Sequence, residues 1–368
     1  AREALVVAPG ATTGGDDDRP LRAADVDRLL ARAAREPDGR YRALASRVLP
    51  GTPVGGSAPR GTRAGDANDT IAHQDRRDQR GLLSLAAWLN HTDIKPANTL
   101  DVWIPDPADA TVGHVVHYLL DFGKALGAMA RIDQRPEAGF AYYGHTFTPG
   151  AVRSDAPWQR LGPFPALRGL GWLESEHFDL ARWTPLHPWL PFQQADRFDR
   201  FWGARIVMSF TPAQLAAALA AARYSEPQTV AYLTRVLRER QRKIGEQAFR
   251  AVAPLVGFDV RGGALCFADL WVRHALGGGA ATYTAVLDTD ADANANADAG
   301  TAAATAWQRT ATAASDGTVC VDLPPVTEHR PVVIELRVAR PGQELPPVRV
   351  HVGAVAGAPP CVIAIDRR

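Results

Sequence analysis

The hydrophobic period of this chain changes once, near residue 260. Upstream of that point, apolar residues recur at helical spacing. Asp25 to Arg35 carries Val26, Leu29, Leu30 and Ala33 on one face. Asp75 to Leu89 starts polar and turns apolar, as a helix does when it dives into a core. Asp196 to Ser209 sets Phe198, Phe201, Trp202, Ile206 and Val207 on one side. Thr211, followed by Pro212, and Ser225 read as N-caps of two further helices, the second running to about Leu255. Downstream the period is two. Tyr283–Leu287, Thr318–Leu323, Val332–Val338, Val348–Val352 and Val362–Ile365 alternate as strands do. The two periods cannot serve one bundle or one barrel. The fold class that follows is α+β: helices first, then an all-β, sandwich-like domain at the C-terminal end.

Shorter features interrupt the helical part. Leu100–Ile104 and Val115–Leu120 are rich in β-branched and aromatic residues. The turn-like stretch Pro105–Gly113 separates them, which predicts a small β-hairpin. Tyr41–Leu49 reads as another strand, and Ala4–Ala8 as a strand remnant. Residues 50–69 read as loop, and 131–195 as an irregular stretch dense in Pro and Trp. The Ala/Asp/Asn/Thr-rich segment 288–317 predicts a flexible loop.

One segment carries chemistry. Leu89-Asn90-His91-Thr92-Asp93-Ile94-Lys95-Pro96-Ala97-Asn98-Thr99-Leu100-Asp101 is followed by His117-Tyr118-Leu119-Leu120-Asp121-Phe122-Gly123. Phosphoryl transfer needs a positioned hydroxyl, a carboxylate to orient it, and metal ions to offset phosphate charge. A loop with Asp93 and Asn98 offers a carboxylate for the hydroxyl and an amide oxygen for Mg²⁺. Asp121, at a strand end before a glycine, offers a second metal contact. Mg²⁺ prefers oxygen and takes few protein ligands, because phosphates and water supply the rest. Lys95 is poised to meet the γ-phosphate, or is a solvated loop charge.

The order and spacing of these residues resemble the protein-kinase-like superfamily. Its catalytic loop reads H-R-D-L-x-x-x-N, with D-F-G on the next strand. The match covers His91, Asp93, Ile94, Asn98, Asp121, Phe122 and Gly123. Residues of about 20–260 further resemble a family of bacterial kinase-like proteins, through "ALASRVLPG", "RGTRAGDANDTIAHQDRRDQRGL", "AAWLNHTDIKPANTLD" and "HYLLDFGKALG". The resemblance implies ATP and Mg²⁺ as cofactors and Asp93 as the catalytic carboxylate. It implies Asn98 and Asp121 as metal ligands, and Phe122 as a residue packed under the site. It divides the chain into a small-lobe remnant (1–70), an atypical large lobe with a small β-hairpin site (71–260) and the C-terminal β domain (261–368).

The departures point to truncation or to a pseudokinase. No lysine precedes Lys95, and no G-x-G-x-x-G precedes the loop. Thr92 stands where the family has arginine, and no A-P-E follows Asp121. The second expectation is therefore an inactive scaffold that binds through its β-sandwich and Trp-rich loops. A start without methionine or signal peptide reads as a cut. ATP use favours the cytoplasm; a lost signal peptide would make the chain secreted or periplasmic.

Composition narrows the partners. Lys plus Arg is 41 and Asp plus Glu is 40, a net charge of +1, which argues against nucleic acid. No apolar run is long enough for a membrane span. The acceptor is left open among protein, small molecule and glycan. Cys266, Cys320 and Cys361 lack metal spacing, and one disulfide among them is an open option. Arg76, Arg77 and Arg80 read as a solvated helix face, and His73 with Asp75 and Asp78 as ordinary polar residues. Arg235, Arg238, Arg240, Arg242 and Lys243 read as a wet helical face. Trp158, Trp172, Trp183, Trp189 and Trp202 read as packing residues.

Overall fold

The computed structural model describes residues 7–13, 18–33, 35–41, 48–127, 167, 170, 173–288, 307–327, 331–355 and 357–367. Residues 4–6 of the Ala4–Ala8 remnant, most of the Tyr41–Leu49 strand, most of residues 131–172 with Trp158 and Trp172, and residues 289–306 lie outside them. The chain forms two compact units, Ala1–Thr52 and Pro53–Arg368. The first contains helix α1 (Ala23–Arg32), none of whose residues is buried. Arg19 and Arg28 both pair with Asp25 in its first turn.

The second unit holds helices and sheets together. Strand β1 (Thr52–Gly55) leads to α2 (Arg77–Leu89), then to β2 (Thr99–Pro105) and β3 (Gly113–Leu119). These strands form a sheet in the order β1-β2-β3. The β2–β3 register sets Asp101 opposite His117 and Thr99 opposite Leu119. The helical layer follows: α3 (Leu190–Gln193), α4 (Arg197–Ser209), α5 (Pro212–Ala221) and α6 (Pro227–Ala251). Asp196 caps α4, accepting from the amides of Phe198 and Asp199; Thr211 caps α5 with Pro212 in its first turn. Ser225 is not a cap. Glu226 holds that place on α6, with Pro227 next, and the helix stops at Ala251 rather than near Leu255. Leu255 instead opens a strand.

Helices α2 and α4 approach at two glycines. A Cβ on Gly203 would stand 2.2 Å from the Gly81 carbonyl oxygen, and one on Gly81 would stand 2.3 Å from the Trp202 ring. Only hydrogen fits at either place. Helix α6 is tied to α2 by Trp88, whose Nε1 donates to the Leu237 carbonyl at 2.8 Å. Arg240 corrects the reading of α6 as a wet face. It is 2% exposed, donating to the carbonyls of Glu174 at 2.7 Å and Ala87 at 2.5 Å. Its guanidinium lies over Phe178, and burial pushes its pKa down to about 9. Trp183 and Trp189 are buried in this core, with Leu173 and Phe249.

The strand-rich end begins earlier than the alternation suggested. It comprises β4 (Leu255–Arg261), β5 (Ala264–Asp269), the short α7 (Leu270–Arg273), β6 (Thr282–Leu287), β7 (Gln308–Thr312), β8 (Thr318–Asp322), β9 (Val332–Arg340), β10 (Gln343–Glu344), β11 (Val348–Gly353) and β12 (Cys361–Arg367). One sheet runs β12-β11-β9-β6-β7, with β10 on β9, and the other β4-β5-β8. They share a core: Leu265, Phe267 and Val321 from one, Tyr283, Ile334, Leu336 and Val350 from the other. Strand β7 lies inside the segment read as flexible loop; its exposed pattern hides it from a hydrophobicity argument. Cys266 and Cys320 face each other across β5 and β8 and form a disulfide, leaving Cys361 free and exposed. Among the described residues, no single helix is long and apolar enough to cross a membrane.

Candidate functional site

The site is built where α2 stops. Asn90 adopts left-handed angles, φ 48° and ψ 42°, and its amide closes the last turn onto the carbonyls of Ala86 and Ala87. Asparagine tolerates this conformation better than most side chains. Its side-chain oxygen accepts from Trp183 Nε1 at 2.9 Å, which anchors the helix end in the core. The chain then runs through His91, Thr92 and Asp93, all buried. Ile94, fully buried, pins the loop from below. A 3-10 turn from Pro96 to Asn98 delivers the backbone into β2.

Asn98 braces the loop from inside. Its Nδ2 donates to the Asp93 carbonyl at 2.8 Å, and its own carbonyl accepts from the Leu120 amide at 2.8 Å. The second bond reaches across the hairpin to the end of β3. It sets the residues after β3 beside those before β2. Asp121 follows at φ 49°, with its Oδ1 accepting from the Gly123 amide at 3.1 Å. Phe122 lies against His91, with ring centroids 5.2 Å apart and planes 28° apart. Phe122 is 54% exposed and does not pack beneath the site; it touches it through that one ring contact.

Asp93 is the electrostatic centre. Its side chain is 4% exposed, and three nitrogens surround the carboxylate. Lys95 Nζ stands 3.2 Å from Oδ1, Lys124 Nζ 3.2 Å from Oδ2, and His187 Nε2 3.3 Å from Oδ1. Burial alone would raise the carboxyl pKa. Hydrogen bonds and charge from Lys124 and Lys95 outweigh it and hold the pKa below the ordinary value. Asp93 is therefore an ionised acceptor at neutral pH. His91 moves the other way: burial lowers its pKa against the pull of Asp93 and Asp121. Neither of its ring nitrogens meets a hydrogen-bond partner among the described residues.

The four residues singled out from the sequence thus fall on one hairpin and the loop before it. Asp93, Lys95 and Asn98 are in mutual contact; Asp121 sits at the hairpin's exposed exit. Two members of the site were not foreseen. Lys124 follows Asp121-Phe122-Gly123 directly, so its position was the available signal. His187 had none: the Leu186 amide donates to the Thr92 carbonyl at 2.7 Å, and that tertiary bond alone brings the imidazole in.

A second polar network braces the hairpin from behind. Asp101, fully buried, accepts from the Ser57 hydroxyl, from Arg63 and from His117 Nδ1, the last at 2.7 Å. Asp69 is bonded by Arg76 and, at 2.8 Å, by His73 Nε2. Arg76 and Arg80 are thus not a solvated face, for Arg80 Nε meets Asp199 at 2.7 Å.

Asn98 and Asp121 are the two side chains the sequence offers to a hard cation. Asn98 Oδ1 and one oxygen of Asp121 carry no hydrogen bond among the described residues, and both are oxygen donors. No group of three or more His, Cys, Asp or Glu side chains converges on a point among the described residues. A metal held there would need its remaining ligands from phosphate and water. Comparison of the chain with family models, with curated proteins and with solved structures finds no significant match.

Proposed function

We propose that this chain is the large-lobe portion of an atypical kinase-like phosphotransferase, which passes a phosphoryl group from ATP to a hydroxyl. The observation that carries the reading is the meeting of the two motifs. The His91–Asn98 loop and the Asp121–Gly123 turn are joined by the Asn98–Leu120 backbone bond and by the His91–Phe122 stack. The β2–β3 hairpin brings the two motifs together, and the lysines from both sides, Lys95 and Lys124, close on Asp93 there.

Each side chain has a role in that reaction. Asp93, ionised, accepts a hydrogen bond from the acceptor hydroxyl, orients it and takes its proton as the new P–O bond forms and ADP leaves. Lys95 and Lys124 hold Asp93 in place and offer ammonium protons to the phosphate oxygens. Asn98 and Asp121 would hold Mg²⁺, which offsets phosphate charge when bound. His91, neutral and stacked, supports Phe122 and takes no proton in the step.

Thermal unfolding with and without ATP and Mg²⁺ tests the reading. A ligand at about 100 times its Kd stabilises the folded state by about 2.7 kcal/mol. A Mg²⁺-dependent rise in the midpoint is expected, lost in Asp121→Ala. The absence of any rise in the wild-type chain counts against the reading.

The clasp on Asp93 favours a second reading, an inactive scaffold of the pseudokinase type. A carboxylate engaged by Lys95, Lys124 and His187 is also what a purely structural aspartate looks like. On that reading Asp93→Asn lowers stability, and ATP with Mg²⁺ moves neither midpoint.

A further inference from the structure

Helices α4, α5, α6 and α7 line a pocket of about 1210 Å³, and none of its lining residues belongs to the Asp93 cluster. Its wall is basic. Arg205 comes from α4, Arg235, Arg238 and Arg242 from α6, and Arg273 from α7. Arg235, Arg238 and Arg242 are spaced to share one helical face, along about 10 Å of axis.

The local counter-charges do not balance this wall. Glu239 is the one carboxylate in the lining, and it is bonded by Arg235 and by the Ser175 hydroxyl. Arg242 pairs with Glu246, and Arg273 Nε donates to the Asp316 carbonyl. Arg205 and Arg238 meet no carboxylate among the described residues. The charge of Arg205 also reaches Arg367, whose guanidinium is pushed down to about 10 by burial first and by Arg205 second. Arg205 and Arg238, with no carboxylate partner among the described residues, form a standing attraction for a bound anion.

We propose that this pocket binds a small soluble polyphosphate, an inorganic or organic molecule with phosphate groups spread over about 10 Å. Guanidinium forks match phosphate oxygens in pairs, which single ammonium groups do not. The concave shape suits a metabolite-sized ligand rather than a flat lipid surface. The site is independent of the phosphotransfer reading and stands without it.

Isothermal titration of the whole chain with inorganic tripolyphosphate tests it. One saturable site is expected in the wild type, weakening as salt rises. Arg205→Gln/Arg238→Gln should weaken it by about tenfold or more, because charge-assisted hydrogen bonds are lost. Both arginines are exposed, so that variant should keep the wild-type melting midpoint. Arg238→Lys in the wild-type background should show an intermediate affinity. Arg261→Gln/Arg309→Gln, at exposed arginines outside the pocket, should bind as the wild type does. Equal affinity in the pocket-arginine variant, loss in the outlying variant, or no saturable binding in the wild type would each overturn the proposal.

Discussion

Replacing Lys124 with methionine isolates the clasp on Asp93. The substitution keeps the length of the side chain and removes its charge. Asp93 is 4% exposed and Lys124 27%, with 3.2 Å between Nζ and Oδ2. Removing one partner of a fully buried ion pair costs about 3–5 kcal/mol. Two facts reduce that figure here. Lys95 still reaches Oδ2 at 3.3 Å, so the carboxylate is not stranded. Solvent also screens the partly exposed ammonium, so the expected loss is about 1–2 kcal/mol. For a body of this size that lowers the melting midpoint by about 2–4 °C.

The pH dependence of this loss gives it a signature. The folded pKa of Asp93 lies below its unfolded value of about 3.9. Its contribution is therefore present above that value and disappears as pH falls through the folded pKa. The gap between wild type and Lys124→Met should be full at about pH 7 and should close below about pH 4. Chemical denaturation followed by fluorescence of the buried Trp183 and Trp189 reads both. A gap of the same size at both ends of the range, or no gap, would refute the electrostatic account.

Three further outcomes follow from the packing. Gly203→Ala gains about 1 kcal/mol of helix propensity but drives its Cβ to 2.2 Å from the Gly81 carbonyl oxygen. Overpacking of about 1–3 kcal/mol or more outweighs the gain, so denaturant titration should find a less stable protein; a stabilised one contradicts the close crossing. Arg240→Ala strands the carbonyls of Glu174 and Ala87 and should cost about 2–5 kcal/mol. Arg240→Lys should recover only part of this by the same titration, since one ammonium replaces a two-ended fork. Cys266→Ser/Cys320→Ser opens a link across 54 residues and should cost about 2–4 kcal/mol. Unchanged stability of that variant under oxidising conditions would argue that the bond does not form.

The helical part was legible where local chemistry and period agreed. Asp196 and Thr211 sit at helix starts because their side chains satisfy amides that any helix leaves bare. Reading Ser225 as a cap failed because Glu226 and Pro227 compete for the same place. Strand β5 is hidden for a different reason. Residues of β5 are buried on both faces, so their run is continuously apolar and has no alternation to read.

The site divides in the same way. The sequence by itself determined the order His91, Asp93, Asn98, Asp121 and the hairpin between the last two, because spacing and β-propensity are local properties. It also determined that Asp93 had a lysine two residues away. Only the tertiary structure decided that Lys124 and His187 would close on the same carboxylate, and that Arg240 would be buried while Arg238, two residues earlier, faces a pocket. These are contacts between segments far apart in the chain, and a helical period names a face without naming what packs against it. The charge state of Asp93 belongs to that second class. Burial and ion pairing pull its pKa in opposite directions, and the balance exists only once the loop, the hairpin exit and the 186–187 segment have been folded together.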